Sequence, residues 1–442
     1  MNRYILIITT LIITNSFAQQ TLTLEDAIEK AINKSHQIAI IRNDKKIIDN
    51  NTQIGAAGIL PNITISTGYS GSINNSNINL NDFLEFGENT SNIDANKAKS
   101  SNLSNSINLN YRLFKGFTGI YTLQKFSKQR KLAQENLRAQ IENKILDIIT
   151  LYYDLLNKEN IYNVLLETYN VSLDRYKKSE EKYEYGAISK IEVLNAEVDL
   201  NTDLINFKES EDNLKSAKLN LNLEIGITNT QEIYKLEKDF IFNSTLNIDT
   251  LKYLTYINNS SIIISNLNFL IAKQNLKLSK SNFSPSVDFF TSYSYNSMKS
   301  ETSFISEQED YGFVGGISVE LPIFTSSIKR SQFKNAKIDI DSKQHQLNYI
   351  QESIITSLIN TFYSYQSNLE KIQLQKRNLN TYEVNFEKSR ELYQIGQLNS
   401  IQFRESQNNL SRFRINYSSS LFQAKIQEYI LYQLSGQLEN TK

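Results

Sequence analysis

The stretch Lys182-Tyr183-Glu184-Tyr185-Gly186-Ala187-Ile188-Ser189-Lys190-Ile191-Glu192-Val193-Leu194-Asn195-Ala196 decides how the chain is read. One long helical pattern, roughly residues 118–184, enters it, and a second, 188–229, leaves it, with Gly186 at the turn between them. The same object returns as Glu391-Leu392-Tyr393-Gln394-Ile395-Gly396-Gln397-Leu398-Asn399-Ser400-Ile401-Gln402-Phe403. The sequence therefore contains a long helical hairpin twice.

Working outward from the turns, the two copies keep one register without a gap. Leu137 corresponds to Leu347, an offset of 210 (347 minus 137), and the same offset pairs Ile148 with Leu358, Tyr152 with Phe362 and Tyr183 with Tyr393. Beyond the first turn Val193, Leu200, Phe207, Leu214 and Leu221 recur every seven residues; their counterparts are Phe403, Leu410, Tyr417, Ala424 and Leu431. A seven-residue apolar repeat holds one seam toward a neighbour only if the helices wind around each other. At 1.5 Å per residue the longer helix spans on the order of 100 Å, far beyond a globular core. A plain coiled-coil stalk accounts for the heptads, but not for the duplication.

Composition narrows the class. The 442 residues carry 47 basic and 47 acidic side chains, so no net charge draws the chain to nucleic acid. With no cysteine there are no disulfides, thiolate chemistry or cysteine metal sites. Fourteen glycines and three prolines suit long uninterrupted helices. Residues 1–18 read as a signal peptide: Arg3, an apolar run from Tyr4 to Ile13, and Ser16-Phe17-Ala18 before the cut. The rival reading, an N-terminal anchor, meets a run shorter than the ~18 apolar residues of a spanning helix. No later stretch approaches that length, so entry into a membrane requires strands.

Taken in order, Thr23 caps a helix that the pattern carries to about Gly55, with Asp26 as a partial capping box. After Leu60-Pro61 the period becomes two, with Ile63, Ile65, Thr67 and Tyr69 alternating with polar residues, a strand at about 61–70. The polar residues 71–103 read as a loop, and a second strand follows at about 104–114. The second half repeats the plan: a helix around 250–281, strands at about 285–295 and 311–323 around a polar loop at 297–310, then the second long hairpin. The domains are thus 19–225, a connector at 226–248, a second repeat at 249–435 and a tail at 436–442.

Strands of about ten residues match a tilted transmembrane strand, and their apolar-against-small alternation suits one face in lipid and one in a wet lumen. An ordinary sheet lying on a core alternates in the same way. Here the helices keep their own heptad seams and offer no layer to cover the apolar face. Four strands cannot close a barrel, and an open edge is not tolerated in lipid, so several chains must share one barrel.

This arrangement resembles the TolC family of outer-membrane efflux proteins over essentially the whole mature chain. The resemblance rests on Leu22-Thr23-Leu24-Glu25-Asp26-Ala27, the strand start at Leu60-Pro61, and the tips at Gly186 and Gly396. It implies a membrane protein of mixed α and β class: a homotrimer whose four strands per chain make a 12-stranded β-barrel in the outer membrane. That barrel is continuous with a long α-helical coiled-coil barrel in the periplasm. It also implies an exit duct of a tripartite efflux or type I secretion system, without cofactor or catalytic step. Its partners would be outer-membrane lipid, a periplasmic adaptor, and an inner-membrane pump of RND, ABC or MFS type. Residues 71–103 and 297–310 would be extracellular loops, and 226–248 and 436–442 the belt around the cylinder. Tyr183, Gly186, Ser189, Tyr393, Gly396 and Asn399 would form adaptor-docking tips; the two tyrosines also read as coiled-coil knobs. Where the family carries paired aspartates near the second tip, this chain has Gln402 and Glu405 flanking Arg404. Glu405 reads either as one of a ring of three constricting carboxylates or, with Arg404, as solvated helix-surface charge.

Two other classes compete with this reading. An enzyme lacks support: His36 and His345 sit in helical stretches away from any ligand cluster, and no phosphate-binding glycine loop, nucleophile elbow or metal-ligand spacing occurs. Glu180-Glu181 and the group Glu307, Glu309 and Asp310 read as solvated charge. A periplasmic coiled-coil adaptor or scaffold without a membrane barrel is the alternative, and it leaves the strands and the second repeat unexplained. Met298 is the only internal methionine, which argues against a methionine relay for metal export.

Overall fold

The computed structural model describes residues 20–79, 92–227, 234–237, 241–301, 303 and 305–438. The signal-peptide reading of residues 1–18 lies outside them. The first half of the chain contains β1 (Gln20–Leu22), α1 (Leu24–Lys34), α2 (His36–Asn51), β2 (Asn62–Asn79), β3 (Asn92–Lys115), α3 (Thr118–Glu184) and α4 (Lys190–Ile225). The second contains β4 (Tyr234–Leu236), α5 (Ile248–Asn258), α6 (Ser260–Ser281), β5 (Ser286–Ser300), β6 (Glu307–Glu320), α7 (Ile328–Gln394) and α8 (Ser400–Leu434). Helices α3 and α7 are each 67 residues long, and their starts keep the offset of 210.

The chain divides into two units. The first comprises residues 1–43, 135–263 and 349–442. Its core repeats across the two halves of the sequence. Ile145, Ile148, Tyr152 and Leu155 of α3 pack with Leu221 and Phe422 in one cluster, and Leu358, Phe362 and Tyr365 of α7 pack with Ala424 and Leu431 in another. The Tyr152 hydroxyl donates to the Leu22 carbonyl at 2.9 Å and accepts from the Glu237 amide at 3.0 Å. It thereby pins β1 against β4, which pair in parallel and were not legible as strands. Leu438 is buried in the same cluster.

The second unit comprises residues 44–134 and 264–348. It holds an antiparallel sheet in the order β2-β3-β5-β6. Three expectations need correcting here. The strands run well beyond 61–70, 104–114 and 285–295, and β6 covers 307–320 rather than 311–323. Most of the expected loop at 71–103 is therefore strand, leaving 80–91 outside the described residues, and the loop at 297–310 shrinks to its centre. The cause is composition: the added segments are largely polar, with only isolated apolar residues such as Ile73, so they hydrogen-bond as a ladder without a sustained apolar alternation.

The third correction concerns the helices before each pair of strands, which are broken. Ser35 is extended, with φ −66° and ψ 116°, and its hydroxyl accepts from the Ile38 amide at 3.3 Å. Asn259 is extended likewise, and its side-chain oxygen accepts from Ser261 and Ile262. Each polar residue ends one helix and caps the next, so the expected single helices are pairs.

Candidate functional site

Three features of the fold carry polar or exposed chemistry: the hairpin tips, the seam between the hairpins, and the two faces of the sheet. Both tips are glycine-terminated helix ends. Gly186 has φ +70° and Gly396 φ +77°, and the residue after each donates back to the carbonyl five before it: Ala187 to Lys182 at 2.8 Å, Gln397 to Leu392 at 2.9 Å. Only glycine takes this left-handed position without strain. Ser189 and Asn399 stand at the N-caps of α4 and α8; Asn399 accepts from the Gln402 amide at 2.9 Å, whereas the Ser189 side chain makes no cap bond. Tyr393 is buried, stacked on Phe403 at 4.8 Å, as a knob. Tyr183 is 44% exposed, so the paired tyrosines differ in burial, although each lies beneath a lysine ammonium, Lys190 over Tyr183 and Lys182 over Tyr393. The tips also bare Tyr185, Ile191, Ile395 and Ile401.

Within each hairpin the seam is aromatic: Tyr162 and Tyr169 against Phe207, Phe386 against Phe403, Tyr382 against Phe413. Between α3 and α8, from Asn157 toward the tips, it is lined with hydrogen bonds. Asn160 donates to Ser418, Thr168 to Ser411, and Gln407 to the Thr168 carbonyl. Near the tips this ladder becomes ionic. Arg404 grips both oxygens of Asp203, Ser172 donates to the same carboxylate at 2.5 Å, and Arg175, 1% exposed, binds Asp199 and the Ser400 carbonyl. The reading of Arg404 as a solvated surface charge is thus overturned. Its partners lie on another hairpin, which no local pattern announces. Gln402 and Glu405 are exposed on α8. Beside this cluster a groove of about 560 Å³ runs between α3 and α7, lined by Asn170, Asp174, Lys178, Phe386 and Arg390.

The sheet separates its chemistry by face. Cross-strand rows such as Ile65–Ile107–Tyr293–Phe313 alternate with rows such as Ser66–Ser106–Ser294–Gly312. The apolar face is bare: Ile65 is 78% and Phe313 81% exposed. On β6 it extends from Tyr311 to Val319, about 27 Å along the strand at ~3.4 Å per residue. Among the described residues no helix is long and apolar enough to cross a membrane, and no group of three or more acidic or histidine side chains is placed to hold a metal.

The sequence profile of the outer membrane efflux protein family matches residues 27–226 and 257–437, one match per half of the chain. The chain belongs to the outer membrane efflux protein family. Members are outer-membrane efflux channels rather than enzymes, with a helical barrel in the periplasm, and the match over both halves sets aside the adaptor or scaffold alternative. Solved structures share this family fold. The CmeC outer membrane channel of Campylobacter jejuni superposes with a TM-score of 0.76 at 15% identity, covering 94% of this chain and 86% of that one. VceC of Vibrio cholerae gives 0.73 at 14%, covering 93% and 96%. The open state of the MtrE channel of Neisseria gonorrhoeae gives 0.71 at 12%, covering 94% and 89%. No curated protein sequence matches the chain significantly.

Proposed function

We propose that three copies of this chain form one duct: a 12-stranded barrel in the outer membrane and a coiled-coil barrel in the periplasm. The observation that carries this reading is the sheet itself. Its four strands end on two unpaired edges, β2 and β6, and one face carries an uncovered apolar band along rows such as Ile65–Ile107–Tyr293–Phe313. In lipid an open edge leaves amide and carbonyl groups without partners at several kcal/mol each, so β6 of one copy takes β2 of the next. Outer-membrane barrels begin at about eight strands, and three copies reach twelve.

In this reading the periplasmic adaptor docks on the tips around Tyr183, Gly186, Ser189, Tyr393, Gly396 and Asn399. The bared Tyr185, Ile191, Ile395 and Ile401 and the groove beside Phe386 support that placement. The adaptor links the duct to an inner-membrane pump of RND, ABC or MFS type, in a tripartite efflux or type I secretion system. Gln402 and Glu405 narrow the periplasmic end, and the belt, expected at 226–248 and 436–442, is carried by 226–227, 234–237, 241–248 and 436–438, the rest of those ranges lying outside the described residues.

Because the chain has no cysteine, introduced thiols report contacts without background. Single cysteines along β2 combined with single cysteines along β6, oxidised in whole cells, should yield a covalent species of three times the mature chain's mass that survives heating. Cross-linking confined to monomers in the periplasmic fraction would overturn the shared barrel.

A further inference from the structure

The polar face of the sheet is not uniform along the strands. On β3, Ser106, Asn108 and Asn110 head three successive rows in which none of the four strands contributes a charge. The next row toward the start of α3 holds Arg112, whose Nε donates to Asp288 at 2.8 Å. The row after it, past the bulge between Arg112 and Phe114, aligns Lys115 with Ser286 and Glu320. Two cations and two anions thus gather at one end of a face that is otherwise uncharged over three rows.

We propose that Arg112, Lys115, Asp288 and Glu320 form a charge-balanced collar at the periplasmic mouth of the barrel, and that this balance makes the mouth indifferent to the sign of the substrate's charge. The inference rests on the reading that the polar face lines the lumen. Three copies put six charges of each sign around the opening, with each Asp288 held against an Arg112. Fixed charges around an opening with low-dielectric walls concentrate ions of opposite sign, so an unbalanced ring would favour one class of solute. Beyond the collar, serine and asparagine, interrupted by Phe290 and Val314, offer hydrogen bonds to anions, cations and neutral solutes alike.

The test is ion selectivity of the purified full-length trimer in planar bilayers under a potassium chloride gradient. Asp288→Asn leaves one excess positive charge per chain and should move the permeability ratio several-fold toward chloride. Arg112→Gln should move it several-fold toward potassium, and the double variant should return to the parental ratio. The shifts should shrink as salt rises from 0.1 M to 1 M, where the screening length falls from about 10 Å to about 3 Å. If a pair variant fails to assemble, Glu320→Gln and Lys115→Gln carry the same test with the same signs. Open channels whose ratio stays fixed in all variants would overturn the collar. Parental protein that forms no pore would instead overturn the shared barrel, and the collar with it.

Discussion

Arg404 and Asp203 stand 201 positions apart, yet they form a two-bonded ion pair between the two hairpins. Both are nearly withdrawn from water, with side chains 12% and 5% exposed. A buried charge that loses its partner keeps its desolvation penalty, whereas a pair replaced by apolar groups of similar size does not. Asp203→Asn should therefore cost about 3 kcal/mol, seen as a lower thermal midpoint of the detergent-solubilised protein. Combining Arg404→Leu with Asp203→Leu should recover most of that loss; a double variant as unstable as the sum of the singles would show that packing, not the pair, matters there. The sequence alone could reach only half of this site. Heptad phase sets which face of α8 carries Arg404, but nothing local says which helix lies beside that face. Gly186 and Gly396 were legible because a glycine between two helical periods has a local physical cause.

The element that repeats with most strain is the corner from strand to long helix. Before α3 the backbone passes through two left-handed residues, Gly116 (φ 51°) and Phe117 (φ 61°); before α7, at the same offset, it passes through Ser326 (φ 45°) and Ser327 (φ 64°). A side chain in this region costs about 1–2 kcal/mol, which glycine avoids. Ser326→Gly and Ser327→Gly should each stabilise the fold by about 0.5–1 kcal/mol, measured as a raised thermal midpoint. Gly116→Ala should do the reverse by a larger amount, because its Cβ would lie 2.5 Å from the Ser284 hydroxyl. Unchanged midpoints in all three would mean that the corner relaxes at no cost. At this scale the long helices were readable from the sequence to within a few residues, because heptads persist over many turns. The strands were readable only where one face is apolar. Where Ser72 lies opposite Ser100 and Asn74 opposite Ala98, pairing is strong but the pattern is silent.

For the molecule as a whole, tyrosine replaces tryptophan as the large amphipathic side chain, with 25 tyrosines and no tryptophan. Several are locked neutral in the helical unit. Burial, followed by the neighbouring Tyr429, pushes the Tyr153 hydroxyl far up; burial does the same to Tyr365, and raises Tyr429 and Tyr432 less. A folded-state value above the unfolded one, about 10, stabilises the fold fully below that pH. The contribution is lost as pH rises above 10 toward the folded values. Alkaline titration should show tyrosinate absorbance from these residues appearing together with loss of helical circular dichroism, while exposed tyrosines ionise earlier. Ionisation of all tyrosines near pH 10 with helices intact would contradict the buried placement.

The contrast between aromatic seams inside each hairpin and a polar ladder between them also has a consequence for assembly order. Aromatic partners within a hairpin lie close along the chain, so their contacts carry little loop-closure entropy and form early. The ladder joins residues up to 262 positions apart, Asn157 and Ser419 being the most distant, and can close only after the second hairpin exists. From Asn157 toward the tips, a first hairpin waiting for its mate would then present serine, asparagine and charged side chains along that edge rather than a greasy stripe. Such an intermediate stays dissolved while the rest of the polypeptide emerges, and the late-closing partner finds its register through directional bonds rather than by indiscriminate sticking.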